Sequence, residues 1–211
     1  MKRAVIFLHG NKPDEADIKK HLKKTDTIIC ADGGTEYALE AGLIPDIVLG
    51  DLDSLSKKFQ QRLKELKIPL QEFPTDKDFT DSELAITHAI DQGFKELVLF
   101  GVFGTRIDHF LANIDFLATK ATQGLKVTII DNHQTLYFVT TSFEITGKKG
   151  DTLSLIPLQI DALSVSTIGL KWELYNDTLF FGETRGVSNV FIKNKAHISV
   201  QKGILLAIHQ R

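Results

Sequence analysis

The 211-residue sequence holds a single cysteine, Cys30, so no disulfide can close within the chain, and its composition fits a reducing compartment. Cys30 sits in the apolar run Thr27-Ile28-Ile29-Cys30-Ala31, the setting of a buried strand residue rather than a nucleophile. Long hydrophobic runs are missing too. No segment reaches the roughly 20 residues needed to cross a bilayer. The apolar stretch from Ala4 to Leu8 behind Lys2-Arg3 is too short for a signal peptide, and no small-residue cleavage site follows it. A cytoplasmic location is expected. Neither sign of charge dominates: 25 Lys and Arg stand against 27 Asp and Glu, for a net charge of −2. No global field therefore draws the chain to nucleic acid or membrane, and an anionic substrate needs a local solution such as a bridging metal or a placed Arg. The pattern G-x-x-x-x-G-K-[ST] is absent, which excludes a P-loop kinase. His9, His21, His88, His133, His197 and His209 lack metal-ligand spacing and are set aside.

With 43% hydrophobic and 25% charged residues, the chain has the composition of a globular protein with core enough for one large domain or two small ones. The first half alternates strands and helices. Short continuous apolar runs at Ala4–Leu8, Thr27–Ala31, Asp46–Leu49 and Glu96–Phe100 predict parallel strands buried on both faces, with a weaker strand at Leu70–Phe73. Leu55, Phe59, Leu63 and Leu66 repeat at helical spacing, as do Ile107, Leu111, Ile114, Leu117 and Ala121. A further helix is predicted to start near Asp81, capped by Thr80 or Asp81. From about Lys126 the grammar changes to short strands and turns. Strands are predicted at 126–130, 135–139, 152–158, 163–166 and 196–200, with a tight hairpin at Lys202-Gly203 joining 197–200 to 204–208. The expected architecture is an N-terminal Rossmann-like parallel-sheet α/β domain, residues 1–123, followed by an all-β sandwich or barrel, residues 124–211.

Two carboxylate clusters stand out. GDLDS spans Gly50 to Ser54 and DKDFTD spans Asp76 to Asp81. Held close by a fold, Asp51, Asp53, Asp76, Asp78 and Asp81 would repel one another, which calls for a cation. Oxygen ligands without clustered His or Cys point to a hard ion, Mg²⁺. In an extended loop Asp51 and Asp53 face the same side. The same residues also read as a solvated turn with Ser54 capping the following helix. In the second cluster, helix-start acids account for Asp81 and Asp78 through the macrodipole. They do not account for Lys77, which suits phosphate oxygens beside a metal, or for Phe79 in a polar loop.

Two glycine-bearing segments follow other predicted strands. In ADGG, Gly33 and Gly34 behind Asp32 permit close backbone approach of a ligand, or simply a tight strand-to-helix turn. In Gly101 to His109, Arg106 is a fork-shaped donor for phosphate, Asp108 can orient it or join a metal shell, and His109 reads as either a ligand contact or a structural hydrogen-bonding residue. In an open parallel sheet strand carboxyl ends share one edge, where ligands bind, so four motifs converge on one crevice. In the second half GLKW, ending in Trp172, and the Ser188-Asn189 pair draw attention, although a lone Trp is by default a core or interface aromatic.

ADGG, GDLDS, DKDFTD, the 101–109 segment, GLKW and SN occur in the order seen in thiamine pyrophosphokinases, and the chain resembles that family over nearly its whole length. The resemblance implies transfer of diphosphate from ATP to the hydroxyethyl group of thiamine, giving thiamine diphosphate and AMP. It also implies a homodimer with active sites between subunits. By motif match Asp51, Asp53 and Asp81 would hold Mg²⁺, and Asp76, Lys77, Asp78 and Thr80 would line the same site. Asp32, Gly33, Gly34, Arg106, Asp108 and His109 would meet nucleotide, while Trp172, Ser188 and Asn189 would hold thiamine. The expected catalytic set is Asp51, Asp53, Asp78, Asp81 and Arg106. The chain departs from the pattern at Leu52, where the family has an aromatic residue, at Thr105, where it has Gly, and at Thr35-Glu36, where it has Ala-Asn. Thr105 and Glu36 bear on nucleotide fit. Diphosphate transfer to a pterin-like hydroxymethyl heterocycle, a non-catalytic nucleotide or thiamine sensor, and metal-dependent phosphoester hydrolysis are the competing readings.

Overall fold

A computed structural model describes residues 2–50, 55–72 and 78–211. The architecture is mixed α/β, with parallel and antiparallel strand pairs. The chain divides into two compact units, Met1–Asn113 with Ile129–Asn132, and Ile114–Thr128 with His133–Arg211.

In the first unit β1 (Arg3–Phe7), β2 (Thr27–Ala31), β3 (Ile47–Gly50), β4 (Leu70–Glu72) and β5 (Glu96–Phe100) lie in the order β4-β3-β2-β1-β5, every pair parallel. The continuous apolar runs are explained by burial on both faces. Val5, Phe7, Cys30, Val48 and Phe100 cluster with Ile18 of α1 (Glu15–His21) and Leu63 of α3 (Lys57–Leu66). The alternate residues Ala4, Ile6, Ile29 and Leu49 are equally buried on the other side. Phe7 and Phe100 stack across β1 and β5 with ring centroids 5.2 Å apart. Cys30 is a core residue; burial pushes its thiol far up from the usual range, which removes it as a nucleophile.

Helix α2 (Gly34–Glu40) packs on β1 and β2, and α4 (Asp81–Asp91) packs on β1, β2 and β3. Thr80 caps α4, its side chain accepting from the Glu83 amide at 3.1 Å. Helix α3 begins at Lys57 behind Ser56, so the turn around Leu55 is not helical; the cap first suggested, Ser54, lies outside the described residues. The Ser56 amide donates to Glu36 Oε1 at 2.9 Å, which ties the start of α3 to α2. Helix α5 (Ile107–Thr122) follows β5.

The second unit is antiparallel. Its strands are β7 (Gln134–Val139), β8 (Ser142–Thr146), β9 (Thr152–Ile168), β10 (Asp177–Leu179), β11 (Asn189–Val190), β12 (Lys195–Ser199) and β13 (Lys202–Gln210), after β6 (Lys126–Asp131). They run in the order β7-β13-β9-β12-β8, with β10 and β11 also on β9. The core holds Val139, Leu153, Leu155, Val165, Phe191, Ile198 and Leu205.

Two sequence expectations fail here. The predicted hairpin at Lys202-Gly203 does not form: β9 lies between β12 and β13, and each of them pairs with it. Gly203, at φ +95°, makes the chain pass from one side of β9 to the other. The predicted strands at 152–158 and 163–166 are one 17-residue strand. Gln159 and Ser164 adopt positive φ of 66° and 55°, and the ladder with β13 shifts register there. A bulge of this kind bends a strand without ending it, so the polar break in the sequence is a kink.

Candidate active site

The strand order reverses beside β1: the chain steps outward through β2, β3 and β4, then returns to the other side of β1 as β5. The carboxyl ends of β1 and β5 therefore flank a switch point, where parallel sheets open a crevice. A cleft of about 550 Å³ occupies that place. Its floor comes from Leu8, His9 and Gly10 after β1 and from Gly101, Val102 and Gly104 after β5. Backbone bonds join the two segments, Leu8 N to Phe100 O at 2.9 Å and Gly10 N to Gly101 O at 2.8 Å. Only glycine fits this contact. A Cβ on Gly10 would lie 1.9 Å from Phe103 O, and one on Gly101 (φ +71°) would lie 2.1 Å from Leu8 O. Another depression of about 600 Å³ lies on α2 and α3, around Leu39, Leu43, Phe59 and Leu66, away from the strand carboxyl ends.

One side of the cleft is built from oxygen donors. Asp32, Thr80, Asp81 and Ser82 line it. Asp32 is buried and held in a left-handed conformation (φ 44°), its amide donating to Leu49 O at 3.0 Å. Its carboxylate lies directly over Gly50, where a Cβ would come within 2.1 Å of Oδ1. Asp81 opens α4 and Thr80 caps it, so both are placed by the same helix start. Asp78 is exposed and does not line the cleft. Asp51, Asp53, Asp76 and Lys77 lie outside the described residues. Among the described residues no group of three or more His, Cys, Asp or Glu is placed to hold a metal ion. The donors that do line the cleft are carboxylates and hydroxyls, a set suited to a hard divalent ion.

Arg106 and His109 enter from the start of α5. Arg106 is clamped by Asp108, Nε to Oδ1 at 3.1 Å and Nη2 to Oδ2 at 2.5 Å. This fork fixes the plane of the guanidinium and leaves Nη1 without a bond among the described residues. The bonded Arg106 holds the Asp108 carboxyl down to about 2, and Asp108 in turn raises the Arg106 pKa. Phe103 and Phe110 stack at 4.7 Å and brace the loop that carries Arg106. Gly33 and Gly34 are close-packing positions: a Cβ on Gly34 would meet Phe7 O at 2.3 Å. The amides of Thr35 and Glu36 bond to the Asp32 and Gly33 carbonyls.

Sequence reasoning missed three polar side chains of the lining, His9, Ser82 and Asn113. His9 follows β1 at the switch point, and its ring packs against Gly33, with Nε2 2.3 Å from where a Gly33 Cβ would stand. Metal spacing was the wrong filter for it; its position directly after the central strand was the usable sign. Asn113 lies one turn beyond His109, at the i, i+4 spacing that puts both on one helix face.

In the second unit, Trp172, Ser188 and Asn189 come together. Asn189 Oδ1 accepts from the Trp172 amide at 3.1 Å, and Asn189 Nδ2 donates to the Trp172 carbonyl at 2.6 Å. The indole is 56% exposed, with Lys171 Nζ 4.5 Å from its ring centroid. Ser188 takes a positive φ of 62°, and its amide donates to Ser154 Oγ at 3.0 Å.

Two family models match, one in each half of the chain. The family model described as thiamin pyrophosphokinase, catalytic domain, matches residues 18–129, and that described as thiamin pyrophosphokinase, vitamin B1 binding domain, matches residues 140–205. The thiamine pyrophosphokinase of Bacillus subtilis is 31% identical over 211 residues, covering 99% of this chain and 98% of the relative. A 6-hydroxymethyl-7,8-dihydropterin pyrophosphokinase from Pyrococcus furiosus is 32% identical, but over 129 residues, covering 48% of this chain and 55% of that protein. The crystal structure of thiamine pyrophosphokinase from Bacillus subtilis superposes with a TM-score of 0.90 at 28% identity, covering 99% of both chains. The chain belongs to the thiamin pyrophosphokinase family.

Proposed function

We propose that this chain transfers diphosphate from ATP to the hydroxyethyl group of thiamine, releasing AMP. The observation that carries the reading is the switch-point cleft, with Asp32, Thr80 and Asp81 on one side and the clamped Arg106 at the start of α5. A polyphosphate needs both: oxygen ligands for its counter-ion and a fork-shaped donor for its oxygens. Full-length likeness to the Bacillus subtilis enzyme supports the same assignment.

The thiamine hydroxyl oxygen forms a bond to the β-phosphorus of ATP as the bond from that phosphorus to the α,β-bridging oxygen breaks, and AMP leaves. The hydroxyl proton passes to a carboxylate of the DKDFTD segment, Asp78 or Asp81, of which Asp81 lines the cleft. Arg106, oriented by Asp108, stabilises charge building on the phosphates, and Lys77 acts with it. Placing the alcohol in line with the leaving oxygen supplies much of the rate. Asp51, Asp53 and Asp81 would hold Mg²⁺, which would supply charge neutralisation for the triphosphate. Asp32, Gly33, Gly34, Asp76, Thr80 and His109 complete the nucleotide site, and Trp172, Ser188 and Asn189 hold thiamine.

The finer fold assignment belongs to the same reading. A Rossmann-like domain, residues 1–123, carries nucleotide and metal, and a β-sandwich, residues 124–211, carries thiamine and the dimer contact. The assembly is a cytoplasmic homodimer with active sites between subunits; a monomeric mass by light scattering would rule that assembly out.

The decisive experiment measures AMP release with ATP, Mg²⁺ and a panel of acceptors. Thiamine-dependent AMP is the expected result. AMP that depends on a hydroxymethyl pterin would move the assignment to the other acceptor, and phosphate release with no acceptor would make the protein a hydrolase.

A further inference from the structure

Asn113 is 7% exposed, lines the cleft, and its carboxamide makes no hydrogen bond among the described residues. Only Thr35 Oγ1 is a buried side-chain polar atom without a partner among the described residues, so the Asn113 amide is wetted by the cleft, and a ligand group that matches its donor and acceptor can replace that water. The ligand group it suits is restricted by its chemistry. A carboxamide is neutral and presents one acceptor beside one donor in a plane. A phosphate offers only acceptors and would leave Oδ1 unmatched; a metal ion would leave the NH₂ group unmatched. A planar heterocyclic edge with an amino group next to a ring nitrogen satisfies both at once, as Asn does with adenine. The cleft suits a flat ring as well: Leu8 and Val102 supply apolar surface to its lining.

We infer that Asn113 recognises the adenine of ATP, its Oδ1 accepting from the 6-amino group and its NH₂ group donating to a neighbouring ring nitrogen. This rests on the assignment of the cleft to the nucleotide. Arg106 near the start of α5 and Asn113 two turns later then divide the work, the cation taking phosphate and the amide taking the base.

The test is a cycle between Asn113→Ala and a change in the nucleotide. The substrates are ATP and purine riboside triphosphate, which lacks the 6-amino group, with thiamine saturating. In the parent protein, removing the amino group is expected to lower kcat/KM by roughly ten- to a hundredfold, the range for one well-paired base edge. Asn113→Ala is expected to lower kcat/KM for ATP by a similar factor, through KM, and to leave the KM for thiamine unchanged. The two losses should not add, because they remove the same contact. Asn113→Leu, which keeps the volume, guards against a folding artefact and should behave like Asn113→Ala.

Equal activity of the parent with both nucleotides overturns the inference, as does full additivity of the two losses. A loss that couples to 2′-deoxy-ATP instead would place the amide on the ribose and overturn it equally. If the parent forms no AMP from ATP and thiamine at all, it is the underlying function that fails, and the two failures are told apart by that control.

Discussion

Asn189 ties its side chain to the backbone of Trp172, Oδ1 accepting from the Trp172 amide and from that of Val190, and Nδ2 donating to the Trp172 carbonyl. The indole is thereby presented outward on a fixed stem, with Lys171 over its face. Asn189 thus acts on a bound ligand through Trp172. Asn189→Ala is expected to raise the KM for thiamine about tenfold, the order of one hydrogen bond's net contribution felt at the ligand through Trp172, with the KM for ATP unchanged. Trp172 is the only tryptophan in the chain, so its fluorescence reports the site directly. Thiamine should quench that emission in the parent and quench it less in the variant at equal concentration. An unchanged titration would remove Trp172 from the thiamine site.

The Arg106–Asp108 fork predicts a second result. Arg106→Lys keeps the charge but loses the planar fork, and should lower kcat/KM for ATP by about ten- to a hundredfold. Asp108→Asn loosens the clamp and should give a smaller loss of the same kind. The sign of the pH effect follows from the lowered carboxyl. The contact with Arg106 is complete above the ordinary aspartate value of about 3.9 and is lost as pH falls from there through about 2. Titration of Asp108 should therefore leave no inflection in the activity profile between pH 5 and 8. Carboxyl-carbon NMR of Asp108 checks this: a midpoint near 4 would mean that the fork does not persist in solution.

The paired glycines separate packing from function. A Cβ on Gly34 would press on the backbone oxygen of Phe7, which cannot move without disturbing β1. Gly34→Ala is expected to cost about 1–3 kcal/mol, the range for overpacking. The three atoms nearest a Cβ on Gly33 would all belong to the ring of His9, an exposed side chain that can turn away. Gly33→Ala should leave stability within about 0.5 kcal/mol and displace His9 from the cleft. Urea unfolding midpoints measure both, and equal midpoints for the two variants would contradict this picture of the α2 start.

Those contrasts show what the sequence can and cannot carry. The strands of the first unit were legible because Ala4–Leu8, Thr27–Ala31 and Glu96–Phe100 are buried on both faces, which leaves an unbroken apolar run. Strand β9 was not, because its bulge puts the exposed Gln159 and the half-buried Asp161 in the middle of a continuous ladder. The order β7-β13-β9-β12-β8 was not legible either, since adjacency in sequence favours a hairpin and only tertiary pairing inserts β9 between β12 and β13. The same limit applied to the cleft. Asp32, Thr80, Asp81, Arg106 and His109 lie in motifs with recognisable spacing, whereas His9 and Asn113 are single polar residues. What singles them out is the reversal of strand order beside β1, which no local periodicity encodes.

The second unit offers a stability test that is independent of catalysis. His209 Nε2 and Asp151 Oδ2 are 2.8 Å apart, with little of either side chain exposed and the Phe191 ring 5.1 Å from the imidazole. Burial pushes the Asp151 carboxyl up, but the bonds from the Lys148 amide and from His209 outweigh it, and the net shift is downward. A carboxyl lowered by folding adds stability above its unfolded value of about 3.9 and loses it as pH falls through the folded value. Asp151→Ala leaves the imidazole and the Lys148 amide without their shared partner and is expected to cost about 1–3 kcal/mol at pH 7. That difference from the parent should hold down to about pH 5 and shrink below pH 4, as the parent's own carboxylate is protonated. Urea unfolding at a series of pH values gives the curve. A gap between parent and variant that stays constant from pH 7 to pH 3 would show that the charge of Asp151 contributes nothing, and that the variant acts only through lost packing.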